Sequence, residues 1–254
     1  MTVREILHLI DAIAPFETQA EFDNSGLLVG NPEEEVTDVL FALDVTGAVV
    51  DEALALGVQL IVTHHPLMFS PRKRLTEEDA EGRLLRKLIR YDLNLIAAHT
   101  NLDQARDGMN DILASLCGLT SVSGEGFLRY GDLPKPLYAR DLSLAVGDAL
   151  HTVVRLMGPE EAVVHRLGVC SGGGSDQWEQ AAAQGCDAFL SGEIKHHHAL
   201  AMAEKQMVAL ECGHYATEEP GLFALADALQ NALNEVECKV RIYSSAVPAY
   251  SFPQ

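Results

Sequence analysis

Short, nearly uninterrupted apolar runs alternate along this chain with amphipathic stretches, and most of the apolar runs end in a burst of polar residues. Short runs rich in Ile, Val and Leu predict buried strands, and stretches with apolar positions three and four apart predict helices packed on them. Thr2, with Glu5 three positions on, predicts a capped helix through Ala12 that Pro15 ends. A turn from Phe22 leads into a short strand reaching Gly30, and residues 36–45 form a strand ending at Asp44. Thr46 then begins a helix that Gly57 closes. The run Gln59-Leu60-Ile61-Val62-Thr63 stops at His64-His65-Pro66, because proline has no N–H for a ladder. A helix over 84–91 places Leu84, Leu85, Leu88 and Ile89 on one face. The strand after it runs over 93–103, its polar end carrying His99 and Asp103, and a further helix over 111–116 ends at Gly118.

Residues 121–162 read as a glycine- and proline-punctuated loop or hairpin with a helical period over 141–157, a bridge between two halves. The second half repeats the logic of the first. A strand over 163–170 precedes Ser171-Gly172-Gly173-Gly174-Ser175-Asp176 and a helix over 177–184. A strand over 188–190 precedes Ser191-Gly192-Glu193, and one over 208–210 precedes Glu211-Cys212-Gly213-His214. Thr217 reads as a helix N-cap, with an amphipathic helix over 221–233 and a last strand over 238–242. The predicted fold is α/β, with two similar lobes (1–125 and 126–254), each a mixed, mainly parallel sheet flanked by helices. The lobes are expected to face a shared cleft, since parallel strands with right-handed crossovers put their polar ends along one edge.

Composition narrows the function. Of 254 residues, 48% are hydrophobic and 22% charged, which is globular and not disordered. A formal charge of −19 argues against a nucleic-acid-binding face but not against a nucleotide substrate. One basic stretch could meet phosphates: Arg72, Lys73, Arg74, Arg83, Arg86, Lys87 and Arg90, most of which read as a solvated helix face. Five scattered cysteines without a C-x-x-C pair read as buried thiols in a reducing compartment. No apolar stretch reaches membrane-span length and the N-terminus lacks a cleavable apolar core, so a cytoplasmic protein without membrane contact is expected.

His64, His65, His99, Asp103, His214 and Glu218 all fall at the ends of predicted strands. Imidazole mixed with carboxylate suits Zn, Fe, Mn, Co or Ni; three or four of these groups hold one ion, and the full set suits two ions with a bridging carboxylate. A Glu218 in a first helical turn would be favoured there by the helix dipole. The glycine run after Cys170 could cradle a phosphate but lacks the lysine of a P-loop. Cys212, two residues before His214, reads as core.

Taken together, Asp23-Asn24-Ser25-Gly26-Leu27, Leu43-Asp44-Val45-Thr46, Thr63-His64-His65-Pro66-Leu67, Ala98-His99-Thr100-Asn101-Leu102-Asp103, Ser191-Gly192-Glu193 and Gly213-His214-Tyr215-Ala216-Thr217-Glu218 carry a resemblance. In this order they resemble the Nif-three-like family, known also as GTP cyclohydrolase I type 2 homologues, over essentially the whole chain. The resemblance implies a short form without an inserted middle domain, two α/β lobes around a dinuclear site, and a ring-shaped homohexamer built of dimers. It implies two divalent ions held by His64, His65, Asp103, His214 and Glu218, with His99 a neighbour. By the same analogy His197, in the run Lys195-His196-His197-His198, faces the metal cleft, while His196 and His198 are expected to be exposed at a helix start. Two positions depart from the family pattern: Phe22 where tryptophan is frequent, expected as a packing replacement, and Glu193 where aspartate is common.

The implied activity is a metal-dependent hydrolase attacking the guanine ring of GTP with release of formate, His197 and Glu193 moving protons. Two alternatives stay open at the level of sequence. One is a dinuclear phosphoesterase acting on a nucleotide; the other is a metal-binding scaffold or metal chaperone without catalysis.

Overall fold

The computed structural model describes residues 1–247. Its elements begin with α1 (Val3–Ile13), β1 (Gly26–Val29), β2 (Asp38–Ala42), α2 (Gly47–Leu56) and β3 (Leu60–Thr63). Next come α3 (Ala80–Arg90), β4 (Asn94–Ala97), α4 (Thr100–Gln104) and α5 (Met109–Leu116). They are followed by β5 (Thr120–Ser123), β6 (Arg129–Tyr138), α6 (Ala139–Leu150), β7 (Arg155–Met157) and β8 (Val163–Cys170). The chain continues through α7 (Trp178–Ala183), β9 (Ala188–Ser191), α8 (His196–Glu204), β10 (Val208–Glu211), α9 (His214–Glu235) and β11 (Arg241–Ser244). No helix among the described residues is long and apolar enough to cross a membrane.

Two compact units result, one comprising Met1–Ala105 with the segment from Leu222, the other Arg106–Gly221. The first carries a five-stranded sheet in the order β1-β4-β3-β2-β11, parallel except for the edge strand β1. Every residue of β2, β3 and β4 is buried, as continuous apolar runs require of central parallel strands. Leu40, Ile61 and Leu95 on the strands meet Val49, Val50, Ala53 and Leu88 on α2 and α3. The signals that start and stop these helices act as their chemistry dictates. Thr2 and Glu5 bond each other's backbone N–H in a reciprocal box, Thr46 Oγ1 accepts from Val49 N at 3.2 Å, and Gly57 turns left-handed at φ 72°.

The last strand changes the domain division. β11 pairs in parallel with β2, so the chain returns to its first sheet and the units do not separate at 125/126. The cause is a charge match that hydrophobic patterning cannot register. Asp38 is buried on β2, and Arg241 of β11 meets it with Nε 2.6 Å from Oδ1. That hydrogen bond holds the Asp38 carboxyl below its usual range against the opposing effect of burial.

The second unit carries a six-stranded sheet, β5-β6-β8-β9-β10-β7, whose centre β8-β9-β10 is parallel and whose flanks are antiparallel. The stretch expected as a bridge therefore supplies three of its strands. Pro134 and Pro136 are tolerated inside β6 because its register with β8 shifts between Asp132 and Leu137, a bulge that needs no ladder N–H there. The helical period expected to reach Met157 ends at Leu150, where His151 turns left-handed and β7 follows. Two further boundaries differ from expectation. The polar tail of the strand after Leu93 folds into the short helix α4, and α9 begins at His214, placing Thr217 inside the helix. Thr217 Oγ1 instead accepts from Gly172 N at 3.0 Å and donates to the His214 carbonyl at 2.8 Å.

Candidate metal centre

In the first unit the donors come from two neighbouring strand ends. β3 delivers His64, fully buried, and His65, half-buried; β4 delivers His99 as the residue capping α4. One turn of α4 then brings Asp103 back, its N–H bonded to the His99 carbonyl at 3.0 Å and its Oδ1 3.6 Å from His64 Nε2. One ring nitrogen of each of His64, His65 and His99 lies within 4.8 Å of the other two. His99, expected as a neighbour of the site, sets its ring against both, with centroids 5.0 Å from His64 and 5.6 Å from His65.

Each of these imidazoles is oriented through Nδ1. His64 Nδ1 lies 2.8 Å from the Ala98 carbonyl, His65 Nδ1 2.8 Å from Asp44 Oδ1, and His99 Nδ1 2.7 Å from Asp23 Oδ1. A carbonyl oxygen can only accept, so the His64 proton sits on Nδ1 and the lone pair on Nε2. The carboxylates select the same tautomer in the other two rings, an arrangement in which metal-binding histidines are commonly held. Asp23 is itself fixed: Ser25 Oγ donates to Oδ2 at 2.8 Å, and the Thr100 amide donates to the same oxygen at 3.0 Å. Burial pushes the Asp23 carboxyl up, yet the hydrogen bonds from His99 and Thr100 outweigh it and hold the group well below its ordinary value. It therefore stays an anion beside His99.

The second unit builds its donors on one helix. His214 opens α9 and Glu218 follows one turn later, so both point from the same face. His214 Nδ1 lies 3.0 Å from Glu193 Oε1, and Nε2 lies 3.1 Å from Glu218 Oε1. The longer Glu193 side chain thus reaches the imidazole. With Nδ1–H given to Glu193, the Nε2 lone pair and a carboxylate oxygen repel each other unless a proton or a cation lies between them. A spacing of 3.1 Å is one that two donors, each about 2.1 Å from a common ion, span readily.

The glycine turn after β8 serves this pair, and two of its amides are engaged within the protein. Gly172 N is spent on Thr217 Oγ1 and Gly174 N on the Ser171 carbonyl. Gly172 has φ +56°, and a Cβ there would sit 2.0 Å from Glu218 Oε1, so glycine is what leaves room for the carboxylate. Cys212 is fully buried, which pushes its thiol up and makes it core.

The histidine run at the start of α8 divides differently from expectation. His196 and His197 are exposed, and the His197 ring lies 4.3 Å from that of His198. His198, expected to be exposed, is half-buried, with Nδ1 3.0 Å from Ser175 Oγ. Burial, followed by the neighbouring His197, holds its pKa below the usual imidazole value. Asp23 and Asp44 stand in the motifs that carry the family resemblance but receive no role from sequence, and Gly172 stands in the glycine run read there as a phosphate cradle; its service to Glu218 depends on a distant segment and has no local mark.

A profile described as Duf34/NIF3 (NGG1p interacting factor 3) matches residues 1–248. A Clostridium acetobutylicum protein named GTP cyclohydrolase 1 type 2 homolog is 28% identical, over 99% of each chain. A Streptomyces coelicolor protein of the same name is 35% identical, over 85% of this chain and 81% of its own. The crystal structure of Staphylococcus aureus protein SA1388 superposes with a TM-score of 0.94 at 28% identity, over 100% of this chain and 99% of that one.

Proposed function

This chain belongs to the Duf34/NIF3 family, and we propose from that premise that it is a divalent-metal-dependent hydrolase acting on a purine nucleotide. In this reading His64, His65, Asp103, His214 and Glu218 together hold two ions. The observation that carries it is the shared orientation of four imidazoles. His64, His65, His99 and His214 each turn Nδ1 onto an oxygen acceptor, which leaves Nε2 as the donor. The donor set fits divalent cations, since imidazole nitrogen and carboxylate oxygen are shared by Zn, Fe, Mn, Co and Ni sites.

Bound ions supply Lewis acidity and acidify a water. The chain's own groups do the remaining work. Asp44 and Glu193 keep the His65 and His214 rings in one tautomer and one orientation. Glu193, two-thirds exposed, and the exposed His197 are the groups proposed to carry protons. The name borne by the relatives, GTP cyclohydrolase 1 type 2 homolog, points to GTP as substrate. Water would then add at C8 of the guanine and open the imidazole ring to a formamide, and a second water would cleave that formamide to formate and a free amine.

The test is to purify the protein without added metal, count ions per chain by elemental analysis, and incubate the loaded protein with GTP. Two ions per chain and stoichiometric formate are expected, both lost in Glu218→Gln. Formate absent at every metal loading rejects the cyclohydrolase reading, and less than one ion per chain at saturation rejects the metal centre. Assembly as a homohexamer belongs to the same proposal, and light scattering that returns a monomer removes it.

A further inference from the structure

Beside the imidazole cluster two large aromatic rings stand in solvent. Phe22 is 65% exposed and Phe69 49% exposed, and their centroids lie 6.2 Å apart with the planes inclined at 55°. Phe22, expected to be packed, is not. The Phe69 ring meets His99 edge-on at 6.0 Å. The turn that carries Phe22 is pinned to both neighbours: Asp23 holds His99, and Asn24 Nδ2 donates to the Met68 carbonyl at 2.6 Å. The segments that carry the rings are thus held beside the cluster by hydrogen bonds, while about half or more of each ring residue's surface stays exposed.

Directly after Phe69, the segment 70–81 lines a cavity of about 460 Å³. Among the seven cations of this region, the structure ties Arg72 to Asp79 and Glu81, Arg86 and Arg90 to Glu77, and Lys87 to Asp51. Arg83 gives its guanidinium to the Glu77 carbonyl. Lys73 and Arg74, both lining the cavity, have no carboxylate within ion-pairing distance among the described residues. The cavity is also lined by Glu78, Asp79 and Glu81, but Arg72 engages Asp79 and Glu81, so two adjacent cations face one remaining carboxylate, a local excess of positive charge on a chain whose formal charge is −19.

The geometry points to a nucleotide subsite in the first unit: Phe22 and Phe69 are the platform for a heterocyclic base, and Lys73 and Arg74 contact its phosphates. The assignment rests on the reading above that the substrate is a nucleotide. Every base has a π face that stacks on an aromatic ring, so the platform accepts purines without hydrogen-bond readout. A base on Phe69 lies next to His99 and hence beside the imidazoles, while the phosphates run towards the cavity that begins one residue later. The ligand class is a nucleoside triphosphate.

Calorimetric titration of the full-length, chelator-treated protein with GTP, guanosine and inorganic tripolyphosphate separates the two halves of this subsite. The double variant Phe22→Ala/Phe69→Ala is expected to weaken GTP and guanosine about tenfold and leave tripolyphosphate unchanged. Lys73→Ala/Arg74→Ala should weaken GTP and tripolyphosphate, leave guanosine unchanged, and flatten the salt dependence. All four positions are exposed or on an open loop, and circular dichroism and light scattering verify fold and assembly. GTP affinity unchanged in both variants overturns the subsite, as does a ring variant that changes assembly but binds GTP as the parent does. Binding that dissects as expected without any formate release rejects the cyclohydrolase reading and leaves the subsite standing. Formate release with an unchanged KM in both variants does the reverse.

Discussion

Gly172 offers a sharp test of Glu218, because its neighbour Gly173 is a built-in control. A Cβ on residue 172 would fall 2.0 Å from Glu218 Oε1 and 3.1 Å from His214 Nε2, whereas one on residue 173 would meet nothing within 4 Å. Real Cβ contacts stay beyond 3.0 Å, so the carboxylate must retreat by at least the difference, 3.0 − 2.0 = 1.0 Å. Metal–ligand distances tolerate only about ±0.2 Å, so a retreat of that size takes the oxygen out of coordination. The clash is with the far end of a side chain, so the fold yields where the ligand set does not. The left-handed backbone at Gly172 adds a strain of roughly 1–2 kcal/mol for alanine. In a chain of this length that corresponds to an apparent Tm loss of about 2–8 °C. Gly173 has φ −80°, where alanine is at ease. The assay is chelator-competition titration of metal affinity alongside thermal unfolding with and without metal. Gly172→Ala should fold, lose metal affinity by tenfold or more, and lose most of the metal-dependent gain in Tm. Gly173→Ala should match the parent in all three. A Gly172→Ala protein that binds metal with parental affinity would refute the claim that Glu218 coordinates through that oxygen.

Removing the acceptor behind an imidazole should act at one remove. Asp44→Ala is expected to weaken metal affinity about 10- to 100-fold by freeing His65, with the metal-free Tm nearly unchanged; chelator competition measures it. Stripping the metal should lower the unfolding midpoint, and re-addition restore it, with a concentration dependence that follows RT ln(1 + [L]/Kd); a midpoint indifferent to metal contradicts the proposed centre. The Asp38–Arg241 pair predicts a pH signature. Because the folded carboxyl of Asp38 lies below its unfolded value, its stabilising contribution is complete above an unfolded value of about 3.9. It is lost as pH falls through the depressed folded value. Arg241→Met should therefore lower the urea midpoint at pH 7, and the gap to the parent should close on acidification; a gap constant with pH sinks that account.

Much of the site was written locally. A run such as Leu60-Ile61-Val62-Thr63 is buried because every residue can be, and the proline after His64-His65 ends it, so the histidines had to emerge at a strand end. Capping chemistry works the same way: Thr2 with Glu5, Thr46 and Gly57 act on atoms only a few residues away. The site details that escaped were those in which a local signal has two readings. Thr217 has the chemistry of an N-cap, but a helix starting at His214 lets its hydroxyl bond backward to the preceding turn and receive the Gly172 amide. That shift puts His214 and Glu218 on one helical face.

What the sequence by itself determined is whatever depends on neighbours in the chain: the apolar period of each element, its caps, and the residue types delivered to each strand end. What only the tertiary structure decided is which distant segments meet. β11 joins β2 because Arg241 can satisfy a buried Asp38 some two hundred residues earlier, and the 120–138 stretch becomes sheet because β8 offers it an edge. Asp23 orients His99, and Gly172 makes space for Glu218, by the same kind of complementarity. Hydrophobic burial is non-directional and can be read from a single position, whereas a hydrogen bond or a steric gap is a property of two positions at once.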